Sequence, residues 1–149
     1  MQTFLPYTNF VKSAEVLDKK RCWKQVVEAS QIISVLEKGC TGAYSNHPAV
    51  RMWKGHTDTL KSYFNVFLYV CIHKYSINTK YSFISNINTF RATHVFPWWL
   101  GNEDFHRAMR ARLIEKDREF YLPLFPNDEG YNDGKYWLPV METKTFRII

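Results

Sequence analysis

The apolar residues Trp53, Leu60, Phe64, Phe67, Leu68 and Cys71 follow one another at separations of seven, four, three, one and three. An α-helix repeats every 3.6 residues, so this spacing gathers them on one face. A chain carrying such a face must bury it against other apolar faces. Pro48 suits the first position of this helix, where its missing N–H is no loss. The same rule predicts a helix upstream, from an N-cap at Ser13 with Glu15 in its first turn, ending by Leu36 before Gly39 and Gly42. Its broad apolar face holds Val26, Ala29, Ile32, Ile33 and Leu36. A third helix is expected from an Asn102 cap to about Tyr121, with Glu103 and Asp104 in its positive first turn. Phe105, Met109, Leu113 and Phe120 share a face there, and Pro123 and Pro126 stop it.

Residues 75–97 show weak periodicity and read as short strands or an ordered aromatic loop. A structureless stretch of that length is unusual in a compact domain, so some regular structure is expected. Residues 127–134 are turn-rich, and the last residues suit a short strand. The expectation is a mainly α fold: one compact domain over residues 1–149, three principal helices and long aromatic-rich loops.

Composition narrows the class. The chain has 149 residues, 46% apolar and 23% charged, which excludes wholesale disorder and suffices for a core without staples. The net charge of +6 favours an anionic partner. Aromatic residues reach 17%, and rings beside cations suit stacking on bases as well as filling a core. Cys22, Cys40 and Cys71 offer neither a disulfide framework nor a CxxC metal knuckle, which points to a reducing, intracellular setting. The opening MQTFLPYTNF lacks the pattern of a signal peptide. The most apolar stretch, residues 63–72, is too short to span a bilayer and contains Asn65. No membrane association is expected.

Three constellations stand out. On the first helix, Arg21, Gln25 and Glu28 form a stripe beside Ile32, bracketed by Leu17 and Val35. Polar groups interrupting an apolar surface are costly unless paired, so the stripe is either an internal network or a site. On the second, His47 reads as a helix-start residue, Arg51 points away from the apolar arc and His56 falls inside it. On the third, Arg112 and Lys116 lie one turn apart beside the apolar face, with His106, Arg107 and Arg110 nearby. Long cationic side chains can simply snorkel out of such a stripe; alternatively the pair grips a nucleic-acid backbone. Glu115, Asp117 and Glu119 partly offset the charge. The five histidines show no metal-ligand spacing, and no metal or cofactor is expected. Walker, GxGxxG and GxSxG motifs are absent, and no side-chain nucleophile stands out.

Taken in order, LDKKRCWKQVVEASQII, NHPAVRMWKGHTDTLKSYF and WWLGNEDFHRAMRARLIEKDREFY resemble the three helices of the pyrimidine-dimer DNA glycosylase/AP lyases, the phage endonuclease V type and its bacterial and viral relatives. The likeness covers most of the chain. It implies a compact helical domain that acts as a monomer on double-stranded DNA carrying a damaged base. The family's catalytic glutamate falls on Glu28, and its DNA-contacting arginine and lysine fall on Arg112 and Lys116. Its nucleophile is the chain's own α-amine. An α-amine titrates at about 7.7–8.0, so a useful fraction is free near neutral pH. It attacks C1′, the base departs, and a Schiff base forms, followed by β-elimination that nicks the strand. Other DNA-facing residues implied by the likeness are Arg21, Gln25, His47, Arg51, His56 and His106. Trp98 and Trp99 would line the space left by a displaced base.

This sequence departs from the family at the start and beside the glutamate. Initiator Met is removed before small residues, and Gln2 is not small, so the candidate amine is that of Met1. Were Met1 removed, the amine would be that of Gln2, which can cyclise. Two family arginines fall on Val27 and Gln31. Either Arg21 and Arg51 substitute for them, or substrate and activity have changed. The leading expectation is a DNA repair glycosylase with AP lyase activity. The alternative is a non-catalytic nucleic-acid or nucleotide binding protein on the same scaffold, recognised by salt-sensitive binding without a covalent adduct. A protein-interaction domain with a structural polar stripe would bind no polynucleotide even at low salt.

Overall fold

The computed structural model describes residues 1–149. Seven helices dominate: α1 (Phe10–Val16), α2 (Lys19–Glu37), α3 (Pro48–Arg51), α4 (Thr57–His73), α5 (Thr89–His94), α6 (Glu103–Lys116) and α7 (Arg118–Tyr121). A 3-10 turn, Tyr131–Gly134, leads into a hairpin of β1 (Trp137–Val140) and β2 (Thr145–Ile148), paired antiparallel with Trp137 opposite Ile148. The fold is mainly α, as the spacing predicts.

Each principal helix is broken once, and each break has a local cause. Residues expected as one helix from Ser13 form α1 and α2, because Asp18 is extended and caps α2 by accepting from the Arg21 N–H. Asn9, not Ser13, caps α1. Ser13 is buried, and its hydroxyl bonds both backbone groups of Tyr7. The second helix breaks at Gly55, whose φ of +81° favours glycine, separating α3 from α4. The third breaks at Asp117, which leaves helical geometry and caps α7. Residues 75–97 contain no strand; their regular structure is α5.

The most extensive interhelical contact joins α2 to α4. Val26, Ala29, Ile32 and Ile33 meet Leu60, Phe64, Phe67 and Leu68 in a shared core. Cys22 and Cys71, distant in sequence, bring their free thiols to 3.3 Å at this contact.

Against this core lies an unusual element. Residues 2–7 form no helix and join no sheet, bending from Pro6, yet they are largely buried, with Thr3, Phe4 and Leu5 almost without exposure. Buried backbone groups need partners, and helix side chains supply them. The Phe4 N–H donates to Gln25 Oε1 at 2.7 Å, and the Tyr63 hydroxyl donates to the Phe4 carbonyl at 2.9 Å. His106 Nδ1 lies 2.8 Å from the Leu5 carbonyl, and Arg110 donates to the Pro6 carbonyl at 2.8 Å. The Trp53 indole donates to the Thr3 hydroxyl at 3.1 Å. Side chains from α2, α4 and α6 thus fix the beginning of the chain in place.

Candidate active site

The polar stripe of α2 serves this segment. Gln25 is fully buried and holds both Phe4 and the Tyr63 hydroxyl. One turn on, Glu28 Oε2 accepts the Gln2 N–H at 2.9 Å, while Lys24 approaches its other oxygen at 3.9 Å. Glu28 is 8% exposed, so its carboxylate is held in a dry setting facing the start of the chain. Met1 and His47 both line a cavity of ≈ 240 Å³ between the N-terminal segment, α3, α6 and the hairpin.

His47 caps α3 through Nδ1, which accepts the Ala49 N–H at 3.1 Å. Burial pushes its pKa below the usual histidine value; the positive N-terminus adds to this, and Glu28 opposes it. An Nδ1 that accepts carries no proton, so His47 is the neutral ring with hydrogen on Nε2.

Cations flank Glu28 from two helices. Burial lowers the pKa of Lys116, and the charges of Arg112, Arg21 and Lys24 lower it further, with Glu28 acting the other way. Arg21 and Lys24 of α2 therefore lie within electrostatic reach of Arg112 and Lys116 of α6. Arg21 pairs with Asp18 at 3.2 Å and lies over the Tyr121 ring. Arg112 lies over Tyr136 and pairs with Glu115 at 3.2 Å. Mutual repulsion among cations favours an anion bridging them.

Other expected DNA-facing residues lie elsewhere. Trp99 is fully buried, its indole donating to the Met52 carbonyl at 3.0 Å and its ring edge-on to Trp53. It fills the core and lines no open space. Trp98 is half-buried against Phe146 of the hairpin. His106 is 1% exposed, held between Leu5 and the Gly101 N–H, and therefore has no surface to offer DNA. His56 occupies the N-cap position of α4, its Nδ1 3.2 Å from the Val95 carbonyl. Gln25 is likewise withdrawn from solvent and acts on the N-terminal segment. Arg51 pairs with Glu142 of the hairpin loop, apart from the cationic face. Arg107 and Arg110 are tied to Asp128 at 3.0 and 2.8 Å, which neutralises much of the charge expected there. Phe120, assigned to the apolar face of the third helix, is exposed on α7.

Two contributors escaped sequence reasoning. Lys24 stands four residues before Glu28, a spacing that places them together on a helix. The last residues suit a short strand, but nothing in the sequence places Trp137 and Leu138 in a cavity wall. No group of three or more His, Cys, Asp and Glu side chains converges as a metal centre would require. No helix is long and apolar enough to cross a membrane.

Residues 1–83 match the family model described as pyrimidine dimer DNA glycosylase. No curated protein and no solved structure matches the chain.

Proposed function

The chain belongs to the pyrimidine dimer DNA glycosylase family, and from that premise we propose that it excises a damaged pyrimidine from double-stranded DNA through a Schiff base on its N-terminal amine, then nicks the strand as an AP lyase. The observation that carries this reading is the 2.9 Å bond from the Gln2 N–H to Glu28, which holds the first residues against a buried carboxylate. The proposed amine is that of Met1, or of Gln2 where Met1 is removed.

The unprotonated amine attacks C1′, the bond from C1′ to the base nitrogen breaks, and the base leaves with that electron pair and a proton. Sugar ring opening gives an iminium that joins the chain to C1′. Glu28 accepts protons released by the nitrogen and stabilises the cationic intermediate. Removal of a C2′ proton then expels the 3′ phosphate, and water frees the enzyme. Arg21, Lys24, Arg112 and Lys116 hold backbone phosphates and keep the duplex distorted. As a repair glycosylase the protein acts on DNA inside the cell, as one copy per lesion.

Reductive trapping tests the proposal. Borohydride with a duplex carrying one abasic site should give a covalent protein–DNA adduct. Glu28→Gln should retain the Gln2 contact and DNA binding but lose at least a hundredfold in trapping rate. An absence of adduct from wild-type protein with a free N-terminus would defeat the proposal.

A further inference from the structure

The cavity that Met1 and His47 line continues past α3. Pro48 and Leu138 belong also to the wall of a second cavity of ≈ 260 Å³, bordered by Arg51, Glu142 and Arg147. Arg51 and Glu142 in turn border a third, of ≈ 310 Å³, which reaches Lys54 and the loop after α2. Shared walls join the three into one groove between α3 and the hairpin. Strand pairing explains what the hairpin turns toward it. Side chains alternate along a strand, and directly paired residues share a face. Phe146, paired with Pro139, packs inward against Trp98 and Phe105. Leu138 and Arg147, paired with each other, fall on the opposite face and line the groove.

The charge of this groove is one-sided. Arg51, Lys54 and Arg147 border its outer part, against a single carboxylate, that of Glu142. Lys54 and Arg147 are exposed and pair with no acid. Arg51 does pair with Glu142, but the two side chains are 47% and 57% exposed, and such a surface pair is weakly held. A guanidinium grips phosphate with the same planar fork that it offers a carboxylate. A phosphate can therefore take the place of Glu142, over a floor of Pro48 and Leu138 that suits the apolar face of a sugar.

We propose that this groove is a second track for the DNA backbone. Phosphates on one side of the damaged nucleotide rest on Arg51, Arg147 and Lys54, and Glu142 is a placeholder that the incoming strand displaces. The inference rests on the amine reading, which puts the damaged nucleotide at the Met1 end of the groove. A strand held there continues past the amine, and the groove supplies unpaired cations along its path. These contacts are distinct from those of Arg21, Lys24, Arg112 and Lys116, so the protein grips the backbone from two separate surfaces.

Binding to an uncleavable substrate tests this without calling on the chemistry. A tetrahydrofuran in place of one deoxyribose lacks the C1′ oxygen, so no Schiff base forms. Fluorescence anisotropy would compare a duplex carrying that analogue at its centre with two duplexes, each cut short on one side of it. On the central duplex, Arg51→Gln combined with Arg147→Gln should lower the salt slope of log Kobs by about 2, through two lost phosphate contacts. Glu142→Gln, which frees Arg51, should tighten binding about threefold at low salt. On one of the shortened duplexes, and on that one alone, the double variant should bind as the wild type does, because the track is then empty. Equal losses on all three duplexes, an unchanged slope, or an unchanged affinity of Glu142→Gln would overturn the proposal. Where circular dichroism shows the double variant misfolded, Glu142→Gln decides. Borohydride trapping on a true abasic duplex keeps the two readings apart. No adduct, with the one-sided footprint present, defeats the amine chemistry and leaves the track; an adduct without that footprint defeats the track alone.

Discussion

Gln25→Leu is the sharpest test of how the fold presents its N-terminus. Leu matches the shape of Gln and keeps α2 intact, but it removes the acceptor of the Phe4 N–H bond at 2.7 Å. The Phe4 N–H is then buried with no partner, which costs about 1–3 kcal/mol. The Tyr63 hydroxyl retains its bond to the Phe4 carbonyl, so that group adds little. Gln25 Nε2 already lacks a partner, and losing it offsets part of the penalty. The net expectation is about 2 kcal/mol, read as a lower urea midpoint at unchanged slope. The functional effect should be larger than the stability effect. Gln2 lies two residues before Phe4, so releasing Phe4 moves the amine relative to Glu28. Misplacing a reacting group by about 1 Å costs up to about 100-fold. Single-turnover trapping on an abasic duplex, with protein folded and saturating, should slow by 10- to 100-fold. A destabilised variant that traps at the wild-type rate would refute the idea that Gln25 positions the amine. A variant with unchanged stability would refute the burial reasoning.

Other outcomes follow from the same geometry. Lys116→Ala should weaken DNA binding uniformly across sequences and reduce the salt slope of log Kobs by about 1, measured by fluorescence anisotropy at several salt concentrations; an unchanged slope would remove Lys116 from the phosphate contacts. Trp99→Phe should cost about 1–3 kcal/mol through the orphaned Met52 carbonyl and a small cavity, with DNA affinity unaltered, since the ring is buried. Stability should fall as pH drops below about 6.5, the ordinary histidine value. His106 contributes to this effect: burial lowers its pKa, and its second nitrogen is committed to accepting the Gly101 N–H. The unfolded chain then binds a proton that the folded chain refuses, so stability is lost between the unfolded and the lower folded pKa and levels off beneath it. Urea midpoints at pH 7.5 and 5.5 check the sign, and His106→Gln should flatten the difference.

The helical faces were legible because burial imposes the 3.6 repeat directly on residue type. Leu60, Phe64, Phe67 and Leu68 announce α4, and Val26, Ala29, Ile32 and Ile33 announce α2. The breaks were not. Asp18, Gly55 and Asp117 interrupt patterns whose apolar period runs on across them, and only backbone geometry separates the pieces. Glu28 and Gln25 were visible as polar residues in an apolar surface, but a helical wheel cannot say what faces them. The partner is an irregular N-terminal segment held by side chains from three helices, a long-range arrangement without periodic signature. Trp99 and His106 misled for a related reason: aromatic and imidazole groups serve cores and ligands equally, and the choice is made by neighbours such as Met52 and Leu5 that lie far away in sequence. His47 was legible as a helix start, whereas its place in the cavity wall depends on the hairpin.

The chain's own amine is the proposed nucleophile, and Lys24 is a rival, with its amine 3.9 Å from Glu28. Intact mass determination of the N-terminus, followed by peptide mapping of the borohydride-reduced adduct, distinguishes them most directly. The deoxyribose remnant should be found on the α-nitrogen of the first residue, and Lys24→Ala, although weaker in DNA binding, should still form its adduct there. A remnant on Lys24, Lys116 or any other side chain would contradict it.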